Sequence, residues 1–337
     1  MSYVRLGRTG LKVSRLCLGC MSYGDPGWRP WVLDEEASRP HFRKALDLGI
    51  NFFDTADMYS RGRSEEVTGR MLKEMASRHD YVLATKVFFP AEKKGPNREG
   101  LSRKHILEAC DASLRRLGTD FIDVYQVHRW DPQAPFEETL SALDSLVRAG
   151  KVRYLGASSM AAWQFAKALY TSDRRGWERF VSMQNHYNLV YREEEREMIP
   201  LCIAEGVGCV PWSPLARGFL SGSRRRGEPA DTARARSDEF ADKLYFRDED
   251  FDVLDALLEV AEARHLPPAR VALAWLLSRP GVVAPIIGAT KLPHLEDAAA
   301  ALEVRLSDDE VAKLEAPYEP HPVLGHEPPT ARDVGTM

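Results

Sequence analysis

Short, nearly unbroken apolar runs recur along the chain, alternating with longer stretches in which apolar residues return at helical spacing. Eight runs read as strands: SRLCLG (14–19), INFFDTA (50–56), YVLATKVF (81–88), FIDVYQVH (121–128), VRYLGAS (152–158), FVSMQ (180–184), GCVPWSP (208–214) and VAPIIGAT (283–290). Continuous hydrophobicity marks strands buried on both faces, the habit of parallel sheets. Between the strands, Ser102 precedes a helical pattern that stops at Gly118, and Pro135 opens another that closes at Gly150. These are the residue types that start and stop helices. Eight strand–helix alternations predict an α/β fold, a closed (β/α)8 TIM barrel, as a single domain over residues 1–337. A doubly wound open sheet is the competing architecture, but no G-x-G-x-x-G follows an early strand.

Three segments break the alternation. Residues 1–13 predict an N-terminal hairpin turning at Thr9-Gly10. Residues 218–248 form a long, polar, Arg-rich loop after strand 7, expected to act as a lid that covers a ligand. Residues 317–337 are proline-rich and predict an extended C-terminal tail, ordered over 318–326 and frayed beyond.

Composition narrows the function. In 337 residues, 44% are hydrophobic, 28% are charged and the net charge is −4. That balance suits a globular protein with a large core and supplies no basic field for nucleic acid or an anionic membrane. No apolar run approaches the roughly 18 residues of a membrane span, and the N-terminus lacks a signal-peptide pattern, so a cytoplasmic protein is expected. The cysteines (Cys17, Cys20, Cys110, Cys202, Cys209) are odd in number. They suggest no disulfide framework, and the Cys17-x-x-Cys20 pair reads as core. No His, Cys and carboxylate spacing argues for a metal.

In a barrel the strand C-termini open onto one mouth, where the active site sits. Asp54, Lys86 and His128 each end an apolar strand, and Tyr59 follows Asp54 in the next loop. A lysine ammonium beside a phenol favours the phenolate form and eases proton release. A buried lysine requires a counter-charge, which Asp54 can supply. A histidine can donate a hydrogen bond to a carbonyl and orient it. The set suits proton transfer at a carbonyl or alcohol oxygen.

At these residues the chain resembles the aldo-keto reductase family. INFFDTADMY resembles the segment around that family's aspartate and tyrosine, ATK its lysine motif and DVYQVHRWD its histidine motif. The similarity runs from LGRTGLKVSRLCLGCMSYG to PIIGATKLPHLEDA. Within the family, GASSM, QNHYNLVYREEEREM, PWSPLARG and YEPHPVLGH resemble the bacterial YajO-like subgroup. The resemblance implies reduction of aldehydes or ketones by hydride transfer from NADP(H), with Asp54, Tyr59, Lys86 and His128 as the catalytic tetrad.

It also implies a cofactor site. The backbone of Gly19, Cys20 and Met21 would approach the nicotinamide ribose, Ser158 and Gln184 the carboxamide, and Trp212 the nicotinamide ring, with Asp54 close by. Ser213, Pro214, Leu215, Arg217 and Gly218, joined by Arg234, would hold the pyrophosphate. Gly288, Thr290 and Lys291, at the start of the last barrel helix, would hold the adenosine 2′-phosphate, which favours NADP(H) over NAD(H). His294 and Asp297 would lie near the adenine and its ribose. Ala298 stands where many relatives have an asparagine. Trp31, Phe88 and Trp130, aromatic residues in loops on the catalytic face, are the expected substrate contacts. A small-molecule carbonyl compound is the expected partner, and the sequence leaves the oligomeric state open. Two alternatives accompany this reading. One is a regulatory subunit that binds NADP(H), turns over slowly and senses redox state. The other is an enzyme of sugar-phosphate metabolism, with Arg129, Arg61 and Arg63 as phosphate ligands.

Overall fold

The structure is a computed structural model and describes residues 1–227 and 236–325. Strands β1 (Tyr3–Arg5) and β2 (Lys12–Ser14) pair antiparallel, Val4 opposite Val13. Eight parallel strands follow: β3 (Cys17–Gly19), β4 (Phe52–Asp54), β5 (Val82–Val87), β6 (Ile122–Val127), β7 (Val152–Ser158), β8 (Phe180–Gln184), β9 (Gly208–Cys209) and β10 (Ile286–Ile287). Each lies inside one of the eight apolar runs. Their order follows the chain from β3 to β9, with β10 beside β3. Hydrogen bonds from Val283 N to Cys209 O at 2.8 Å and from Ile286 N to Pro211 O at 2.9 Å join β9 to the segment entering β10. The sheet curls into a (β/α)8 barrel.

Helices α1 (Glu35–Asp47), α2 (Arg63–Met75), α3 (Arg103–Leu117), α4 (Phe136–Arg148), α5 (Ala162–Arg175) and α6 (Met198–Glu205) alternate with the strands. A short α7 (Glu239–Asp242), then α8 (Asp248–Ala263), α9 (Pro268–Ser278), α10 (Leu292–Ala301) and α11 (Asp308–Glu315) complete the described helices. Local chemistry sets their ends. Asp34 and Ser102 accept hydrogen bonds from Ala37 N and His105 N at the starts of α1 and α3, satisfying amides a first turn leaves unpaired.

The period-two rule of strands explains the double burial. Cys17, Phe52, Val82, Ala84, Val124 and Ile286 meet inside the barrel together with Leu6 and Val13 of the hairpin. Their neighbours Leu18, Phe53, Leu83 and Tyr125 pack in the main core cluster instead. The hairpin therefore plugs the N-terminal end. Gly7 makes this possible: a Cβ there would stand 2.6 Å from Val181 O and 2.7 Å from Gly206 O, at a φ of +59°. The opposite mouth is left for chemistry.

The five cysteines are buried and free. In the loop after β9, residues Ala216–Ser221 form a 3-10 turn and α7 follows. Arg234 lies outside the described residues. The tail packs along the barrel: Tyr318 Oη donates to Glu193 at 2.6 Å, His321 pairs with Asp250 at 2.8 Å, and Leu324 N donates to Tyr191 Oη at 2.9 Å. Residue 326 and those after it are also outside the described residues.

Candidate active site

Asp54 lies two residues beyond Phe52, and Lys86 two beyond Ala84, so both point into the barrel above its apolar filling. Strand register sets Asp54 opposite Ala84 and Lys86 opposite Gln126. Lys86 is fully buried. Its ammonium donates to Asp54 Oδ1 at 2.5 Å, to the carbonyl oxygen of Thr55 at 2.8 Å and to Tyr59 Oη at 3.3 Å. An ammonium has three donors, and each has an acceptor here. Burial works against the charge, but the pull of Asp54 and Tyr59 outweighs it and holds the Lys86 pKa above its ordinary value.

The second oxygen of Asp54 accepts from Gln126 at 2.8 Å and from Gln184 at 2.9 Å. Gln126 was not among the expected residues. It belongs to the inward set of β6 with Val124, and a polar residue on that face was the available signal. Gly156 makes room for it, since a Cβ there would meet Gln126 Cγ at 2.7 Å.

Tyr59 leaves β4 through a loop in which Ser60, Arg61 and Gly62 take consecutive left-handed conformations (φ 49°, 55° and 88°). Such strain gathers where a side chain must be held in place. The Tyr59 and His128 rings lie edge to face, 5.8 Å apart at 84°. Burial first, then the charges of Lys86 and Arg129, push the His128 pKa well below its ordinary value, so the ring is neutral near pH 7. Its Nδ1 is buried with no hydrogen-bond partner among the described residues.

Tyr59, His128 and Asp54 line a cavity of about 760 Å³. Gly19, Met21, Ser158, Gln184, Trp212, Ser213, Pro214, Leu215, Arg217 and Gly218 line it too. So do Gly288, Thr290, Lys291, His294, Asp297 and Ala298, around the start of α10. Cys20 does not line the cavity; it is fully buried, and burial pushes its thiol up to about 12.

Of the aromatic residues expected to meet substrate, Trp31 lines the cavity, whereas Phe88 and Trp130 do not. Phe89 stands in for Phe88, its ring 5.1 Å from that of His128. Strand pairing ends at Val87, so the inward–outward alternation does not carry on to Phe88, which packs on the core. Trp130 turns onto Phe136 at 4.1 Å. Trp28, Arg29 and Met58 also line the cavity; they sit in loops, where no periodicity marks direction.

Trp212 is a fixed aromatic plate. It stacks on His186 at 4.2 Å, His186 stacks on Tyr191 at 4.1 Å, and the indole donates to Ser159 at 3.0 Å. Ser213, Ala216, Arg217 and Gly218 all have positive φ, and left-handed turns of this kind can aim successive amides at an anion. Arg217, expected at a phosphate, is tied by two hydrogen bonds to Asp238 at 2.6 and 2.8 Å. Asp297 is paired with Arg270 at 2.6 Å. Lys291 occupies the N-cap position of α10, with Thr290 just before it.

The family model described as the Aldo/keto reductase family matches residues 15–319. The chain is 45% identical over 340 residues to versiconal hemiacetal acetate reductase of Aspergillus parasiticus, which covers 95% of this chain and 98% of that one. It is 44% identical over 348 residues to an aldo-keto reductase of Alternaria alternata (96% and 94% covered). An aldo-keto reductase of Metarhizium robertsii is 43% identical over 351 residues (97% and 93% covered). These relatives are fungal, not members of the bacterial YajO-like group that the motifs resemble. With the barrel and the four-residue cluster at its mouth, they place the protein: the chain belongs to the aldo/keto reductase family.

Proposed function

We propose that this oxidoreductase reduces aldehyde or ketone carbonyls with NADP(H), and that Tyr59 is the general acid. The donor count at Lys86 carries this reading. The phenol oxygen of Tyr59 accepts a hydrogen bond from the ammonium, so its own O–H is directed elsewhere, and the cavity with His128 is what it faces. When that proton leaves, the negative charge left on oxygen falls 3.3 Å from a cation that Asp54 holds in place. His128, neutral, can donate from Nε2 to the carbonyl and fix its position.

When bound, a nicotinamide cofactor supplies the hydride. The cavity's volume, the Trp212 plate and the strained segment 213–218 fit such a group. Thr290 and Lys291 at the start of α10 form an anion site suited to a 2′-phosphate, which supports NADP(H). A sugar-phosphate substrate finds less support. Of the three arginines it would use, only Arg129 lines the cavity; Arg61 and Arg63 are exposed, and Arg63 pairs with Glu66 and Glu35.

The test is Tyr59→Phe. Steady-state NADPH oxidation with simple aldehydes should fall about 10²–10⁴-fold in kcat. The cofactor Kd, read by tryptophan fluorescence, should barely move, because the hydroxyl acts in the transition state. Wild-type turnover by the variant would refute the assignment of Tyr59. Tight NADPH binding with negligible turnover by the wild-type chain would favour the regulatory alternative.

A further inference from the structure

Two guanidinium groups, those of Arg129 and Arg29, line the cavity without a salt bridge among the described residues. Arg129 directly follows His128 and lines the cavity beside Tyr59 and Phe89. Its Nη1 donates to the carbonyl oxygen of His128 at 2.7 Å, and its guanidinium lies 5.9 Å from the Phe89 ring centre. Arg29 lies 4.7 Å from the Trp28 ring centre and 5.7 Å from that of Trp31, where the charges of Arg217, Asp238 and Glu239 also act on it. Among the described residues, neither arginine has an ion-pair partner.

Several of the protein's other enclosed arginines are paired. Arg78 is paired with Asp123 at 2.7 Å, Arg116 with Glu65 at 2.6 Å and Arg217 with Asp238 at 2.6 Å. The carboxylates lining the cavity cannot serve, because Asp54 is held by Lys86 and Asp297 by Arg270. Burial draws the Arg129 guanidinium down to about 10, a measure of how poorly solvated it is. Keeping an enclosed cation without a counter-charge is costly. An anion arriving with a ligand would offset that cost, and a guanidinium presents its donors in the fork that matches a carboxylate. The anion sites assigned to the cofactor, at segment 213–218 and at α10, are on other elements. Arg129, on which Tyr59 is the only charge that acts among the described residues, is therefore left to face the substrate, with Arg29 between the tryptophans as the second cation lining the cavity.

Resting on the reductase reading above, we propose that the carbonyl substrates of this enzyme carry a carboxylate, and that Arg129, assisted by Arg29, binds it and determines specificity. Trp28, Trp31 and Phe89 form the flat apolar walls between which the rest of the substrate lies. Adjacency of Arg129 to His128 fixes the sense of binding, with the carbonyl at His128 and Tyr59 and the carboxylate toward Arg129.

The experiment compares kcat/KM with NADPH for two acid–neutral pairs: 4-formylbenzoate against its methyl ester, and 5-oxopentanoate against pentanal. The acid of at least one pair should be favoured about 10–100-fold, the scale of a charge-assisted hydrogen bond. Arg129→Met should bring that ratio close to one, mostly through KM, and Arg129→Lys should retain part of it. Arg29→Met should lower it less. Circular dichroism and NADPH binding establish that each variant is folded, and Arg129→Lys keeps the comparison available if Arg129→Met does not fold. Equal kcat/KM for acid and neutral partner in both pairs would overturn the proposal while leaving the reductase reading intact. So would a ratio that survives Arg129→Met. A stronger preference for glyceraldehyde 3-phosphate than for either acid would replace the carboxylate with a phosphate and overturn it as stated. Absence of turnover with every aldehyde would sink the reductase reading, and this proposal with it.

Discussion

Lys86 shows how much one side chain can carry. Its three donors link Asp54, the backbone of Thr55 and Tyr59, so it is the buried counter-ion of Asp54 and, under the proposed mechanism, would stabilise the phenolate formed when Tyr59 gives up its proton. Lys86→Met should lower kcat at least as far as Tyr59→Phe. It should also destabilise the fold by about 3–5 kcal/mol, because Asp54 is left charged and enclosed without its cation. Gln126→Leu removes only one of the donors to Asp54 and should cost less, about 1–3 kcal/mol. Urea unfolding of the three proteins measures both quantities. A Lys86→Met variant as stable as wild type would mean that the pair is not as enclosed as its geometry indicates. The clustering of Asp54, Tyr59, Lys86 and His128 was legible in the sequence because each ends or follows an apolar strand. Gln126 was missed because it lies within a strand, and only the inward alternation with Val124 marks it.

At the scale of elements, the proposed preference for NADP(H) rests on the N-terminus of α10. Lys291 sits at the N-cap position and is exposed, so its bond to a 2′-phosphate is screened by salt. Lys291→Ala should weaken NADPH binding about tenfold, the lower end for a charge-assisted contact, and leave NADH binding nearly unchanged. The difference should shrink as ionic strength rises. Titrating tryptophan fluorescence with each cofactor checks this, and equal weakening for both would show that Lys291 does not read the 2′-phosphate. Elements were also where the sequence was most readable. Continuous apolar runs located all eight barrel strands, and Ser102 and Gly118 bracketed α3. Loops were less readable for a physical reason: outside a strand or helix, position no longer dictates direction. Phe89 rather than Phe88 reaches the cavity, Trp130 turns to Phe136, and Arg29 was not anticipated. The tie of Arg217 to Asp238 likewise links residues 21 apart, through loop geometry that no local pattern encodes.

The whole molecule's pH dependence follows from groups that the barrel encloses. Burial pushes the pKa values of His41, His105 and His128 down. Below about pH 6.5 the unfolded chain takes up protons at these rings that the folded chain resists, so stability falls as pH falls. Enclosed carboxyls act in the opposite sense, Asp123, raised by burial, among them; Asp57 and Glu194 matter most here. Burial, then repulsion from Glu65, raises Asp57 well above the carboxylate range, and burial raises Glu194 to about 8. Unfolded, both ionise near about pH 4. Between that value and their folded values, folding takes up a proton at each, so stability declines as pH rises. Carboxylates drawn down by arginines, such as Glu310 at about 2, titrate below this window. The two trends meet near about pH 6–7, where stability should peak. From there to about pH 8, each carboxyl contributes a slope of at most about 1.4 kcal/mol per pH unit. Glu194→Gln keeps the neutral shape and removes one titration, so it should reduce the alkaline slope by roughly half and leave the acid limb unchanged. His128→Gln should flatten only the acid limb. Urea midpoints measured across this range for the three proteins decide the matter. An alkaline slope that persists in full after Glu194→Gln would show that Glu194 is already ionised in the folded barrel.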